Sequence, residues 1–176
     1  MAMRLQVKEN KVRILVRCAL LLCIAMVLSY LENILVLRFA LLPFMKIGLA
    51  NIIVTLAFFE LSTSEAFAVS SMRVIIMGVL FGSMISFFYS AMGAFFAFGG
   101  LFLSKWLGKR VSYIGTSVIC ACLHNLGQAV VAALFFGLRV ASFCLPYLLI
   151  FGAVFGTFTG ILLNFISQKY KKVISK

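Results

Sequence analysis

The chain has 176 residues, of which 64% are hydrophobic and 11% charged, and it carries a formal net charge of +12. With a mean hydropathy of +1.17, it has more apolar surface than a soluble fold of this size can bury. The composition therefore excludes a soluble protein and indicates a single membrane domain, residues 1–176, with room for about six helices of ~20 apolar residues each.

Six membrane-spanning helices are predicted from hydropathy and helix breakers, so the fold class is an all-α integral membrane bundle. The helices lie at 12–31, 44–61, 64–81, 83–105, 112–137 and 141–167. A basic segment, 1–11, precedes this six-helix bundle of 12–167, and a basic tail, 168–176, follows it. A signal peptide is the alternative interpretation of the first helix. Since no small-x-small cleavage site follows it, a retained helix is preferred.

The Lys and Arg residues predict the orientation of the bundle. Twelve of the 16 lie in three clusters: around the start of helix one, where helix four meets helix five, and after helix six. Cytoplasmic N- and C-termini place all three clusters inside, as the positive-inside rule requires. Merging helices two and three would put the middle cluster outside, so six helices are kept.

The same basic residues also indicate the surroundings of the chain. Because they border the membrane instead of forming one face, we expect contact with anionic membrane lipid and no binding of nucleic acid. The single helical membrane domain is typical of the bacterial cytoplasmic membrane.

Arg73 falls in the middle of helix three, where a guanidinium costs about 2.5–3.5 kcal/mol unless it finds an acceptor or a wet cavity. Glu32, at the outer end of helix one, is placed to enter such a cavity. The cations of the outer half are Arg38, Lys46, Arg73 and Arg139. Their excess over Glu32 favours an anionic ligand such as a phosphate, diphosphate or carboxylate. The alternative is that Arg38 and Arg139 meet lipid head groups.

Small residues recur at helical spacing in three helices and let neighbouring helices approach closely. They are Ala19 and Cys23 in helix one, Ser83, Ser86, Ser90, Gly93, Ala97, Gly100 and Ser104 in helix four, and Gly152, Gly156 and Gly160 in helix six. Those of helices four and six are predicted to be packing seams within the bundle, with a partner protein as the alternative. The five cysteines lie in apolar stretches and are interpreted as packing residues, not as a disulfide or metal framework.

Helix five carries the polar residues His124, Asn125 and Gln128 in an otherwise apolar sequence. At about 100° per residue they fall within one wedge, so they are predicted to face one cavity or one neighbouring helix. Their donors and acceptors suit a polar head group, and polar residues at this depth indicate a functional site. The alternative is that they join helices by interhelical hydrogen bonds.

Residue types that several chemistries need are missing from the sequence. It has no Walker Gly-rich loop, no Asp and a single histidine. The chain therefore cannot energise transport with ATP by itself, hold Mg²⁺–diphosphate on an aspartate-rich motif, or form a Ser/His/Asp triad. We expect no catalysis, no metal and no cofactor.

Several short motifs follow one another in a particular order. They are Ser29-Tyr30-Leu31-Glu32, Lys46-Ile47-Gly48-Leu49-Ala50-Asn51, Arg73-Val74, Phe81-Gly82-Ser83, Tyr89-Ser90 with Gly93, and His124-Asn125-Leu126-Gly127-Gln128. In this order, over residues 13–165, they resemble the Gx transporter family, which is also labelled heptaprenyl diphosphate synthase component I. That family is similar to the substrate-binding S components of energy-coupling factor (ECF) transporters, which are six-helix membrane proteins.

The resemblance implies capture of a vitamin or related micronutrient at the outer face, together with a separate transmembrane coupling protein and two ATPases. By the same resemblance, Ala19 and Cys23 would meet the coupling protein, where many S components carry Ala-x-x-x-Ala. Cys23 departs from that pattern. Under the synthase label the chain would be at most a non-catalytic partner, because it lacks the residues for prenyl transfer.

The leading hypothesis is a substrate-binding membrane subunit for uptake of a small anionic micronutrient or isoprenoid-related precursor. The residues assigned to its site are Glu32, Lys46, Asn51, Arg73, Tyr89, His124, Asn125 and Gln128, with residues 33–43 as a gating loop. Lys46 and Arg73 are expected to neutralise the anion, and the amide side chains to orient it.

Two alternatives stay open. In the first, the chain is a non-catalytic membrane partner of an isoprenoid- or quinone-making enzyme, or of an electron-transfer chain, and binds a head group while the tail lies between helices. In the second, it is a scaffold whose polar groups only hold helices together.

Overall fold

The computed structural model describes residues 2–38, 48–81 and 83–174. The helices are α1 (Ala2–Arg38), α2 (Leu49–Glu60), α3 (Thr63–Phe81), α4 (Met84–Leu107), α5 (Tyr113–Phe136) and α6 (Leu138–Ile174), with a short 3-10 turn at Gly108–Arg110. Strands are absent from the described residues, and the predicted all-α class is confirmed for them.

Five of these helices are long and apolar enough to cross a membrane, whereas α2 is not. The chain is therefore a helical multi-pass membrane protein. Six membrane-spanning helices were predicted, and the described residues contain five that are long enough. α2 has 12 residues, which is about 18 Å of helix against a hydrocarbon core of about 30 Å.

The start of α2 explains why this helix is short. Gly48 directly precedes it with φ of 83°, a left-handed conformation that glycine adopts at little cost. The helix thus begins at Leu49 and not at residue 44, and residues 44–47 lie outside the described ranges. At the helix rise, Asn51 lies about 14 Å along α2 from Glu60, the last residue of the helix.

Two helices continue past their predicted ends. α1 runs to Arg38 instead of stopping at residue 31, so residues 33–38 of the expected gating loop are helical, and 39–43 lie outside the described residues. α6 continues to Ile174, into the predicted basic tail. Neither extension contains Gly or Pro. The end of an apolar run marks where a helix is expected to leave the membrane. The helix itself can continue until it reaches a residue that disfavours helical backbone, such as Gly or Pro.

α5 packs between α4 and α6, and glycines allow both contacts. A Cβ at Gly156 of α6 would lie 2.8 Å from the Cα of Val118, and one at Gly160 would lie 2.7 Å from the Cα of Ile114. On α4, a Cβ at Gly100 would lie 3.2 Å from the backbone of α5. The glycine seams predicted in helices four and six are thus confirmed as contacts within the bundle.

The ends of α2, α4 and α6 meet at one end of the bundle, which we call the basic end. Lys105 Nζ lies 5.5 Å from the centre of the Phe58 ring. Ser167 Oγ donates a hydrogen bond of 3.1 Å to Glu60 Oε1. At the opposite end, α3 leads into α4 and α5 leads into α6.

The outer surface of the bundle is apolar. Large side chains such as Leu15, Val79, Leu134 and Phe143 are exposed around it, as expected for helices that contact lipid. All five cysteines are free.

Candidate ligand-binding site

Four side chains from α2, α3 and α5 form a connected row, here called the polar chain. Arg73 Nη2 donates to Asn51 Oδ1 over 3.3 Å, and Asn51 Nδ2 lies 3.5 Å from His124 Nδ1. On its other side, the imidazole ring places Nε2 at 3.2 Å from Gln128 Nε2. Arg73, His124 and Gln128 are buried, so the polar chain crosses the interior from α3 to α5.

The guanidinium fixes the direction of hydrogen bonding along the polar chain. Because Arg73 can only donate, Asn51 presents its oxygen to Arg73 and its NH₂ group to His124. Nδ1 of His124 then accepts, and a neutral ring carries its proton on Nε2. That proton requires an acceptor, so the Gln128 amide takes the orientation that puts Oε1 there. The two ends of an amide have nearly the same shape, and the hydrogen bonds decide between them.

Arg73 has donor capacity left over. Its Nε is buried and makes no hydrogen bond. Glu32 on α1 is the acidic residue whose charge acts on this guanidinium. The Glu32 carboxylate is itself engaged, since Oε1 accepts a hydrogen bond of 2.7 Å from the backbone N–H of Gly48. This bond ties α1 to the start of α2. Because Arg73 Nε has no acceptor, the guanidinium is a partly unsatisfied cation in the interior of the bundle.

A cavity of about 40 Å³ opens against these residues. Its polar lining includes Ser29, Glu32, Asn51, Arg73, Ser90 and His124. One water needs roughly 10–15 Å³ by this measure, so the cavity holds about three waters or one compact charged group. Complete small-molecule sites are typically about 300–1,000 Å³, so the cavity takes a head group and not a whole vitamin.

Gly93 on α4 makes the position of His124 possible. A Cβ at Gly93 would lie 2.5 Å from Cε1 and 2.7 Å from Nε2 of the imidazole ring. The ring therefore fits against the α4 backbone only because position 93 has no side chain. Sequence reasoning placed Gly93 in a helix seam, and the structure shows that it also positions the histidine.

The three polar residues of helix five do not face one cavity. His124 lines the cavity, Gln128 lies behind it, and Asn125 is directed toward α6, where Nδ2 donates to the Leu148 carbonyl over 2.6 Å. Since α5 packs between α4 and α6, a wedge of about 100° reaches both neighbours. Asn125 therefore makes the interhelical bond that was the alternative interpretation.

Several other predicted residues lie away from the cavity. Tyr89 is buried in an apolar cluster with Val131 and Ala132. Arg139 is exposed and does not line the cavity. Lys46 and the side chain of Arg38 lie outside the described residues, and Arg73 is the cation that lines the cavity in the part of the chain that the structure describes. On α1, Ala19 and Cys23 are both exposed.

The cavity is also lined by residues that were not assigned to the site from the sequence. Ser29 and Asn33 on α1, Gly78 on α3 and Phe87 on α4 all line it. The available signal was spacing, because Ser29 stands one helical turn before Glu32. Ser86 and Ser90 were noted only as small seam residues, and the structure adds that they line the cavity.

Comparison with known families gives a match over most of the chain. The model of the family described as "Heptaprenyl diphosphate synthase component I" matches residues 21–166. The chain belongs to this family. Among curated proteins and among solved structures, no match was found. The predicted resemblance is thus confirmed for the component I family.

Proposed function

We propose that this member of the component I family is a substrate-binding membrane subunit for uptake of a small anionic compound, served by separate ATPase-driven partners. The observation that carries the proposal is the partly unsatisfied Arg73 at the wall of a polar cavity. A buried guanidinium persists in a membrane when a ligand or water supplies the missing acceptor. The polar chain holds this guanidinium in place and offers amide and imidazole groups beside it.

The position of the cavity supports capture from outside. Ser86 and Ser90 lie in the first turns of α4, whereas Lys105 lies in its last turn. At the rise of an α-helix, Ser90 and Lys105 are about 23 Å apart along the helix axis. If the basic end is cytoplasmic, as the positive-inside rule favours, the cavity opens toward the outer face. A small head-group cavity then implies that the rest of the ligand lies outside it, or that the site opens further on binding.

The direct test is thermal stabilisation of the detergent-purified chain, because a ligand of the folded state raises stability by RT ln(1 + [L]/Kd). Phosphorylated vitamins are each compared with their dephosphorylated parents. We expect only the anions to stabilise the protein. Arg73→Gln should abolish the shift, while Arg139→Gln, an exposed cation away from the cavity, should keep it. Equal shifts with the neutral parents, or equal losses in both variants, would contradict the proposal.

Dependence on partners is tested separately with the same ligand. Vesicles that contain this chain alone should bind a labelled anion but not accumulate it, because the sequence has no Walker motif. Accumulation to the full extent in such vesicles would disprove the ATPase-coupled mechanism.

A second candidate function is favoured by the family match itself. The family's description names one component of a synthase, and this chain would then be a non-catalytic membrane partner that presents a prenyl diphosphate. Affinity purification distinguishes the two functions. Co-purification with a prenyl-transferring enzyme would favour the second, and co-purification with ATPases the first.

A further inference from the structure

The polar cavity is lined by an acidic side chain as well as by a cationic one. Glu32 on α1 is 5% exposed, Arg73 on α3 is 8% exposed, and both line the cavity. The charge of Glu32 acts on the Arg73 guanidinium, yet in the part of the chain that the structure describes these two side chains form no ion pair with each other. Two buried opposite charges therefore share a small cavity without contacting each other.

The start of α2 holds the two charged groups apart. Gly48, which precedes α2, donates its backbone N–H to Glu32 Oε1 over 2.7 Å, and Asn51 in the first turn accepts from Arg73 Nη2 over 3.3 Å. A carboxylate and a guanidinium that neutralise each other commonly form two parallel hydrogen bonds instead. Here Arg73 Nε makes no hydrogen bond, and no described residue donates to Glu32 Oε2. Both groups therefore keep capacity for a third partner.

A ligand with negative charge alone fits this pair of groups poorly. In a cavity of about 40 Å³, an anion that accepts from Arg73 also lies near the Glu32 carboxylate. Like charges repel strongly where little water screens them. An ammonium group beside the anion removes this repulsion, because its three N–H donors suit Glu32 Oε2 and the hydroxyl of Ser29, which lines the cavity one helical turn before Glu32.

We propose that the cavity binds the amino-carboxylate end of a zwitterionic ligand, with the carboxylate at Arg73 and the ammonium at Glu32. The inference rests on the proposed anion site and narrows its substrate class to compounds with an amino group one or two carbons from a carboxylate. The cavity sets this short separation, since it holds about three waters. A carboxylate leaves more of that space for the ammonium than a phosphate does.

The first experiment compares ligands that differ only in the ammonium group. Isothermal titration of the detergent-purified full chain measures the affinity for glycine against propionate, and for β-alanine against butyrate. In each pair a methyl group replaces the ammonium and the carboxylate stays the same. We expect the zwitterion to bind at least tenfold more tightly in at least one pair. This comparison needs no variant, so it does not depend on how any substitution affects folding.

The second experiment removes the charge of Glu32. In Glu32→Gln the side-chain oxygen can still accept from the Gly48 N–H, so the tie between α1 and α2 is kept. We expect the zwitterion to bind at least tenfold more weakly, and its uncharged-amine counterpart, propionate or butyrate, to bind as tightly as before or more tightly. The matched control is Glu65→Gln, in the first turn of α3 and away from the cavity, which should change neither affinity.

The outcomes separate this inference from the proposed function. Equal or tighter binding of propionate and butyrate in the unmodified chain would overturn the inference while the anion site stands. A zwitterion preference that persists in Glu32→Gln would overturn it as well. If phosphorylated compounds stabilise the protein and none of the four carboxylates binds, the zwitterion is again wrong and the anion site stands. If no anion of either kind binds, both proposals fail.

Discussion

At the scale of single residues, the site depends on the absence of a side chain at Gly93 as well as on its polar side chains. The imidazole ring of His124 occupies the space that a Cβ at position 93 would take. Its two nitrogens contact Asn51 and Gln128 in opposite directions. Any displacement of the ring therefore breaks the polar chain in two places.

Gly93→Ala is expected to weaken anion binding. The added methyl group would lie 2.5 Å from Cε1 of the His124 ring, so the ring must shift from the position in which it contacts Asn51 and Gln128. We expect about tenfold weaker binding of inorganic diphosphate, which corresponds to about 1.4 kcal/mol. Isothermal titration measures the change. Gly99→Ala, with the same added methyl group in open space on the same helix, should bind as the unmodified chain does, and unchanged binding in Gly93→Ala would refute the role of this glycine.

Residue chemistry made part of this site predictable. Arg73 in the middle of helix three and the polar run at 124–128 are anomalous in apolar sequence, and Arg73, His124 and Gln128 lie in the polar chain. The partners of each group were not predictable, because they depend on how the helices rotate and pack. Asn125 differs from His124 by one position, yet its bond to Leu148 belongs to the contact with α6. Tyr89 resembled a site residue and lies instead in an apolar cluster.

At the scale of helices, glycines let the backbones of α5 and α6 pack closely against each other. Gly156→Ala is expected to destabilise the bundle, because its Cβ would lie 2.8 Å from the Cα of Val118, which cannot move without shifting α5. Overpacking of this kind costs about 1–3 kcal/mol. Thermal unfolding in detergent measures it. Gly99→Ala serves as the control and should be as stable or more stable, and equal stability of both variants would contradict the seam.

The order of the helices was predictable, but their lengths were not, and five of the described helices are long enough to span a membrane where six spans were predicted. Hydropathy locates the apolar cores of the helices, and the order of all six matched. It does not locate a helix start that depends on a backbone angle, as at Gly48, or a helix that continues past the lipid, as at 168–174. The short α2 has a consequence for the site. It places Asn51 in the first turn of the helix, where it lines the polar cavity.

At the scale of the whole molecule, three levels of observation agree. The composition requires a membrane, five long apolar helices supply the crossings, and family membership covers residues 21–166. Glycine seams hold α4, α5 and α6 together, whereas α1 contacts mainly α2 and α3. The polar cavity lies where α1, α2 and α3 meet the α4–α5 pair, so binding of a ligand there is expected to join the loosely packed part of the bundle to the tightly packed part.

Orientation in the membrane decides which face the cavity serves. We expect the basic end to be cytoplasmic, because Lys and Arg are retained on that side. In a variant with its native cysteines replaced, a single Arg110→Cys should react with a membrane-impermeant maleimide only in inside-out vesicles, and a single Arg139→Cys only in intact cells. Phe143→Cys, exposed on the apolar surface of α6, should react in neither. The reverse labelling would turn the cavity toward the cytoplasm, which excludes capture from outside and leaves the role of a partner to a prenyl-transferring enzyme as the function that fits the site.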